Sequence, residues 1–413
     1  MHLAANGITT NIAVTGTTVS SMATTKICII GLDDFAMLTG DRSYGVIGGE
    51  SVQHVLLARA WRDLGVDVSI VVYDHGQSRV TMVDGIRAVA CYRQQAGIRM
   101  LRYVHPRTTS VLRVMREIDA DAYYQSPAAG LSGLVALFAK RFGKRSIVRI
   151  ASDSDCLRPR VSIQRRFDRW LYEYGVLNSS LVAAQTERQR ALLAHHFGVR
   201  GEIVNIAVEA PAVAVVQQKD IDVLWVGNLR PVKRPDILLE LARRRPQYRF
   251  ALVGGSGREK EGKAYFSRIA EEAKALPNVT MTGAVPYQAV GTWFERSRLH
   301  VNTSDYEGFP NTFLQAWVRR VPVVSFFDPD GVIERRALGR SCGDIEQMCA
   351  AIDELLRNPG ECVAIGERAY ASIGSQYSAR EVALKYLELL ERPSANHLPL
   401  CARDESIRAA HDV

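Results

Sequence analysis

The segment SDYEGFPNTFLQAW, residues 304–317, gathers the groups best suited to chemistry. An acidic residue lies at a strand end, Gly-Phe-Pro follows, and a helix begins. Pro310 suits the first helical position, where its missing N–H costs nothing, and Asn311 or Thr312 can help cap the amides. The remaining N–H groups and the positive end of the helix dipole then face the space above the strand's carboxyl edge. Such an end binds phosphate, and that edge is where open α/β sheets hold ligands. Glu307 stands at the mouth, able to accept hydrogen bonds from sugar hydroxyls. Gln315 lies further in, within reach of a ribose. A solvated glutamate ahead of a well-capped helix explains the same letters equally well, so the surrounding elements must decide.

Those elements alternate along the whole chain. KICIIGL (26–32) reads as a strand, and its loop ends in GVIGGE (45–50). SVQHVLLARAWRDLG then repeats Val52, Val55, Leu56, Arg59 and Ala60 at helical spacing. Gly65 ends that helix and VDVSIVVY (66–73) is the next strand, completing the unit from which parallel sheets are built. The pattern continues through DAYYQ (121–125), a helix around 130–141, SIVRIA (146–151) and LVAAQT (181–186). A second series runs from VLWVGNL (223–229) through YRFALVGGSG (248–257), NVTMTGAV (278–285), RLHVNTS (298–304) and VPVVSFF (321–327), with helical stretches between. A polar segment, 209–220, separates the two.

The expected fold is therefore α/β, with two Rossmann-like doubly wound domains, 22–210 and 211–375, joined at that segment. SAREVALKYLELLE reads as a closing helix over 376–392. Residues 1–21 read as a flexible leader, with Met22 as a candidate start, and 393–413 as a disordered tail. A chain of 413 residues exceeds what one core usually serves. No basic, apolar leader marks a signal peptide, and no apolar run is long enough to span a membrane. Seven scattered cysteines without a C-x-x-C pair exclude a disulfide framework and a zinc site, and fit a reducing cytoplasm. The net charge of +8 suits an anionic partner without naming one.

In order and spacing, several of these stretches resemble the family-four retaining glycosyltransferases, which have the GT-B fold. The 304–317 segment is similar to that family's signature of two Glu residues with seven residues between them. GVIGGE is similar to its first glycine loop, and TERQRALLAHHFG (186–198) to the helix before its domain linker. VGNLRPVKRPDILLELA (226–242) is similar to its strand-Lys-helix motif, and LVGGSG (252–257) and VTMTGAVP (279–286) match the next two strands. The resemblance implies that Lys233 neutralises a donor diphosphate, as a compact ammonium does well. It implies that Glu307 holds the transferred sugar while the turn Gly308, Phe309, Pro310, Asn311 and Thr312 lines its hydroxyls or phosphate. Gln315 occupies the ribose position. Gly48 and Gly49 let the first-domain backbone approach the diphosphate, and Gly254, Gly255 and Gly257 shape the turn on the base side.

The sequence departs from the family at three points. Gln315 replaces the second Glu of the signature, keeping an acceptor but losing charge. Asn228 replaces the Arg that accompanies the phosphate Lys, with Arg230 two residues on as a substitute. VRIASDSD (148–155) lacks the usual His and leaves Arg149, Asp153 and Asp155 near that strand end. Asp153 is the candidate for orienting the acceptor hydroxyl, against the plainer role of a turn cap. In the implied mechanism the leaving diphosphate itself helps deprotonate the acceptor, so cations and helix dipoles matter more than a protein base. DSD (153–155) resembles a metal-binding motif in spelling only. No metal and no cofactor beyond the nucleotide-sugar donor are expected.

RPRVSIQRRFDRWLYEYGVL (158–177) sets Arg158, Arg160, Arg165, Arg166 and Arg169 among Trp170, Leu171, Tyr172 and Tyr174. Such a helix suits an anionic membrane surface; a solvated basic face with its aromatics packed inward is the alternative. The expected partners are a nucleotide sugar and a glycan or lipid-linked acceptor of surface polysaccharide or glycolipid synthesis. The expected location is the cytoplasm, with peripheral contact at the inner face of the membrane. Nucleic acid is disfavoured because the basic residues form no reading module. A nicotinamide-dependent oxidoreductase would need G-x-G-x-x-G directly after the first strand, where a long loop stands instead. A catalytically weak or inactive nucleotide-sugar binding protein of the same fold is the other alternative, motivated by Asn228, Gln315 and the missing His.

Overall fold

The computed structural model describes residues 25–98, 101–158, 163–211, 218–256 and 260–393. The expected leader, the candidate start Met22, Arg160, Gly257 and residues 394–413 of the tail lie outside the described residues.

Two sheets form the frame. The first contains β1 (Lys26–Ile30), β2 (Asp67–Val72), β3 (Val80–Val83), β4 (Ile86–Ala90), β5 (Ala122–Gln125), β6 (Arg145–Arg149), β7 (Leu181–Ala184) and β8 (Glu202–Ile203). Their spatial order is β3-β4-β2-β1-β5-β6-β7-β8. The second contains β9 (Ile221–Val226), β10 (Phe250–Val253), β11 (Val279–Gly283), β12 (Ser297–Asn302), β13 (Val323–Ser325) and β14 (Gly339–Ser341), ordered β11-β10-β9-β12-β13-β14. Every pairing is parallel except β3 with β4. The second sheet has the doubly wound order in full, and the first has it once β3 and β8 are set aside. The antiparallel β3–β4 hairpin was not anticipated. Its outer strand alternates exposed and half-buried residues, so it offers little apolar periodicity to read.

Strand alternation assigns the cores. Ile27 and Ile29 of β1 face the helix Gly49–Asp63, where they pack with Leu56 and Trp61. Cys28 and Ile30 face the other layer, with Val111, Tyr123 and Phe138. In the second sheet Val223 and Trp225 enter one layer, and Leu224 enters the other with Phe313 and Trp317. Both faces of these central strands are covered, as parallel sheets require.

The final helix, Ala379–Glu391, returns to the first sheet. Trp61 Nε1 donates to Ala383 O at 3.1 Å, and Tyr386 is fully buried against Trp61 and Tyr124. The chain thus crosses between the sheets twice. The crossings run side by side, with Val208 N donating to Tyr377 O at 2.8 Å.

Candidate active site

Each sheet reverses strand order between its first and fourth doubly wound strands, at β1/β5 and at β9/β12. The carboxyl ends of both pairs open into one cleft of about 1240 Å³. Its walls include Gly31, Asp34, Gly48, Glu50, His54, Ser126 and Arg149 from the first sheet's side. The second sheet contributes Asn228, Arg230, Lys233, Gly254, Gly255, Glu307 and Gln315.

Lys233 ends the short turn Pro231–Lys233 that precedes the helix Pro235–Arg244. Its ammonium pairs with Glu307 Oε1, which also accepts from Ser304 Oγ at 2.7 Å. A cation and a carboxylate from separate loops thus meet at one strand edge, with Arg230 beside them on the same wall. The helix after Glu307 starts at Asn311, one residue later than expected, with Pro310 as its extended N-cap. No side chain caps this end. The expected capping role of Asn311 gives way to a bridge across the cleft. Asn311 Nδ2 donates to Gly49 O at 3.1 Å, and Gln53 Nε2 donates to Asn311 Oδ1 at 3.1 Å.

The glycines differ in their environments. Gly48 faces open space, whereas a Cβ on Gly49 would come within 2.8 Å of Asn311 Nδ2. Gly254 has φ +155°, and a Cβ there would meet Gly227 O at 1.7 Å, so no other residue fits that turn. Asn228 and Arg230 lie beyond the end of β9, in the loop, and Asn228 Nδ2 donates to Ile47 O at 3.4 Å. Gln315 lies on the wall with its amide 3.5 Å from Tyr287 Oη. Gly308, Phe309, Pro310 and Thr312 also line the cleft.

Two expectations need correction. The Phe309 amide is not open to a ligand, because it donates to Gln185 Oε1 of the opposite domain at 3.0 Å. Asp153 does not line the cleft. Asp155 Oδ2 accepts from the Ala151 and Ser152 amides, which turns the chain and sends the Asp153 carboxylate to Arg188 Nε (3.2 Å) and Gln189 Nε2 (3.1 Å). Burial raises the Asp153 pKa despite these partners. The group belongs to the seam between the domains.

The polar groups that do face the cleft from the first sheet received less weight in the sequence. Glu50 sits in the first turn of the helix Gly49–Asp63, and its Oε2 accepts from Ser126 Oγ (2.5 Å) and Arg149 Nη1 (3.0 Å). Arg149, at the end of β6, is buried. Burial disfavours the Glu50 carboxylate, but Arg149, His54 and Ser126 together hold its pKa below the usual carboxylate range. One helical turn on, buried His54 Nδ1 lies 2.6 Å from Asp34 Oδ2. Burial opposes a charged ring there, yet Asp34 and Glu50 raise its pKa above the ordinary 6.5. Glu50 and His54 are spaced i, i+4 in the sequence. Their partners Asp34, Ser126 and Arg149 come from three other segments, which spacing cannot reveal. The first wall therefore carries paired charges of both signs. The second presents cations and a helix end.

Comparison with known proteins places this geometry. Residues 48–209 match the family model of the glycosyl transferase 4-like domain, and residues 209–372 match that of the glycosyl transferases group 1. The chain is 26% identical over 206 residues, 47% of its length, to an uncharacterized glycosyltransferase of Haemophilus influenzae, and spans 57% of that relative. Sucrose-phosphate synthase from Thermosynechococcus elongatus superposes with a TM-score of 0.71 at 17% identity, covering 88% of this chain and 98% of that one. Anabaena HepE, solved with UDP and glucose, superposes with a TM-score of 0.68 at 14% identity, covering 89% and 99%. The shared fold is that of GT-B glycosyltransferases.

Proposed function

Because the chain belongs to the group 1 glycosyl transferases, we propose that it moves a sugar from a nucleotide-diphosphate donor to a glycan or lipid-linked acceptor, with retention at the anomeric carbon. The observation that carries this is the convergence of Lys233 and Glu307 at the carboxyl edge of the second sheet, facing the start of the Gly49–Asp63 helix. Donor phosphates compete for the Lys233 ammonium and are met by Arg230 and the first amides of the Asn311–Trp317 helix. Glu307, released from that ion pair, accepts from hydroxyls of the transferred sugar. The bond from the anomeric carbon to the diphosphate oxygen breaks, and the acceptor oxygen bonds to that carbon from the same face. The acceptor proton passes to the departing phosphate oxygen. Glu50, held ionised by Arg149, orients the acceptor hydroxyl from the opposite wall.

Surface polysaccharide or glycolipid synthesis, in the cytoplasm and against the inner face of a membrane, is the setting this reading assigns. The charge on the diphosphate is met by side chains and helix ends, so activity persists in EDTA. HepE was solved with UDP-glucose, which makes UDP-sugars the first donors to screen. The test is release of nucleoside diphosphate from a panel of UDP-, GDP- and ADP-sugars. Lys233→Ala and Glu307→Ala should each slow turnover roughly a hundredfold or more, with the fold intact because both groups border the cleft. Nucleotide binding without turnover of any donor would favour the inactive binding protein, the reading motivated by Gln315 and Asn228.

A further inference from the structure

We propose that an exposed apolar and basic surface on the first domain docks the protein onto an anionic bilayer beside the acceptor side of the cleft. The inference rests on the reading above and supplies the surface it lacks.

Phe167 and Trp170, on the helix Arg166–Asn178, are 57% and 58% exposed and stack on each other with ring centroids 6.0 Å apart. Leu101, just before the neighbouring helical segment Tyr103–Thr108, and Val104, at its start, are each 62% exposed. Tyr103 joins the two segments, its ring 5.8 Å from that of Phe167. The opposite side of the helix is committed inward through fully buried Tyr172 and Val176. The helix cannot roll to hide its aromatics. A Cβ on Gly133 would lie 2.1 Å from Leu171 O, and one on Gly175 would lie 2.5 Å from Ser132 C, so two backbones are locked in contact.

The surroundings select the partner. Arg165 and Arg166 are exposed at the start of the helix. Arginines beside aromatic and aliphatic side chains match the layered chemistry of a bilayer surface. The guanidinium groups meet lipid phosphates, while the rings and Leu101 enter the boundary below. The patch also adjoins the cleft. A Cβ on Gly130 would lie 2.8 Å from Tyr103 Oη and 3.1 Å from Asp168 Oδ1, and its neighbours Ala129 and Leu131 line the cleft wall. A lipid-linked acceptor would thus reach the cleft while its tail stays in the bilayer.

The test is flotation of the full chain with phosphatidylcholine vesicles, with and without phosphatidylglycerol, at low and high salt. Binding is expected only to the phosphatidylglycerol vesicles, weakened by salt. The double variant Phe167→Ser/Trp170→Ser and the charge reversal Arg165→Glu/Arg166→Glu should each lower partitioning roughly tenfold or more. Val363→Ser, at an exposed residue of the other domain, should bind like the parent. Thermal unfolding checks that the variants fold, and UDP, GDP and ADP binding is followed in parallel. Retained nucleotide binding without flotation, or flotation equal in all variants, overturns the membrane proposal alone. Flotation without nucleotide binding or donor turnover supports the surface and removes the assigned activity.

Discussion

The decisive residues act through their neighbours. Glu50 is ionised because Arg149 and Ser126 hold it, so Glu50→Gln should keep donor binding while raising the acceptor KM or lowering transfer by roughly tenfold or more. Arg149→Met leaves Glu50 with Ser126 and cleft water as its remaining partners and should cost about 1–3 kcal/mol in denaturant unfolding. Asp153→Asn should leave transfer within a few-fold of the parent, since its carboxylate serves Arg188 and Gln189. A collapse of kcat in that variant with donor binding intact would return Asp153 to the acceptor site. His54 supplies a pH signature. Its folded pKa lies above 6.5, so its stabilising contribution is complete below that value and fades as pH rises through the folded pKa. Thermal midpoints taken across that range should fall with rising pH in the parent, and His54→Gln should flatten this component. An unchanged slope would mean that the Asp34–His54 pair holds no extra proton.

Secondary elements turn these contacts into a hinge with latches. The two crossings near Val208 and Tyr377 are paired, so the sheets can rotate about one narrow strip. Opposing that rotation, Asp330 of the second domain caps the helix Glu187–Phe197 by accepting from the Glu187 and Arg188 amides at 2.7 and 3.1 Å. Asn311 and Gln185 bridge the gap nearer the cleft. Removing one cap costs about 1 kcal/mol. The double variant Asp330→Ala/Asn311→Ala should therefore shift the population toward open forms, seen as a larger radius of gyration in solution scattering without nucleotide. An identical radius in parent and variant would show that these bonds do not hold the cleft closed.

Such latches mark the limit of what the letters reveal. Short apolar runs between helical repeats announced both sheets, because each central strand is buried on two faces. Pro310 and the residues around it announced a helix end. The destinations of the Asn311 side chain and the Phe309 amide depend on how two domains meet, and no local pattern carries that. The hairpin at β3–β4 escaped for a related reason, its outer strand being half exposed. Asp153 and Arg149 stood together near one strand end, and only the turn built by Asp155 decided which of them faces the cleft.

For the whole molecule, two switch points set edge to edge make a cleft that neither domain has alone. The first wall carries paired charges of both signs, the second a cation and a helix end. This division suits one side to a hydroxyl-bearing acceptor and the other to a diphosphate. Titration of UDP, GDP and ADP into the parent protein and Lys233→Ala by calorimetry tests that division most directly. At least one diphosphate should bind the parent, and its affinity should fall roughly tenfold or more in the variant, with thermal unfolding unchanged. Equal affinity in both proteins, or no diphosphate bound by the folded parent, would contradict the placement of a pyrophosphate between Lys233 and the Asn311–Trp317 helix.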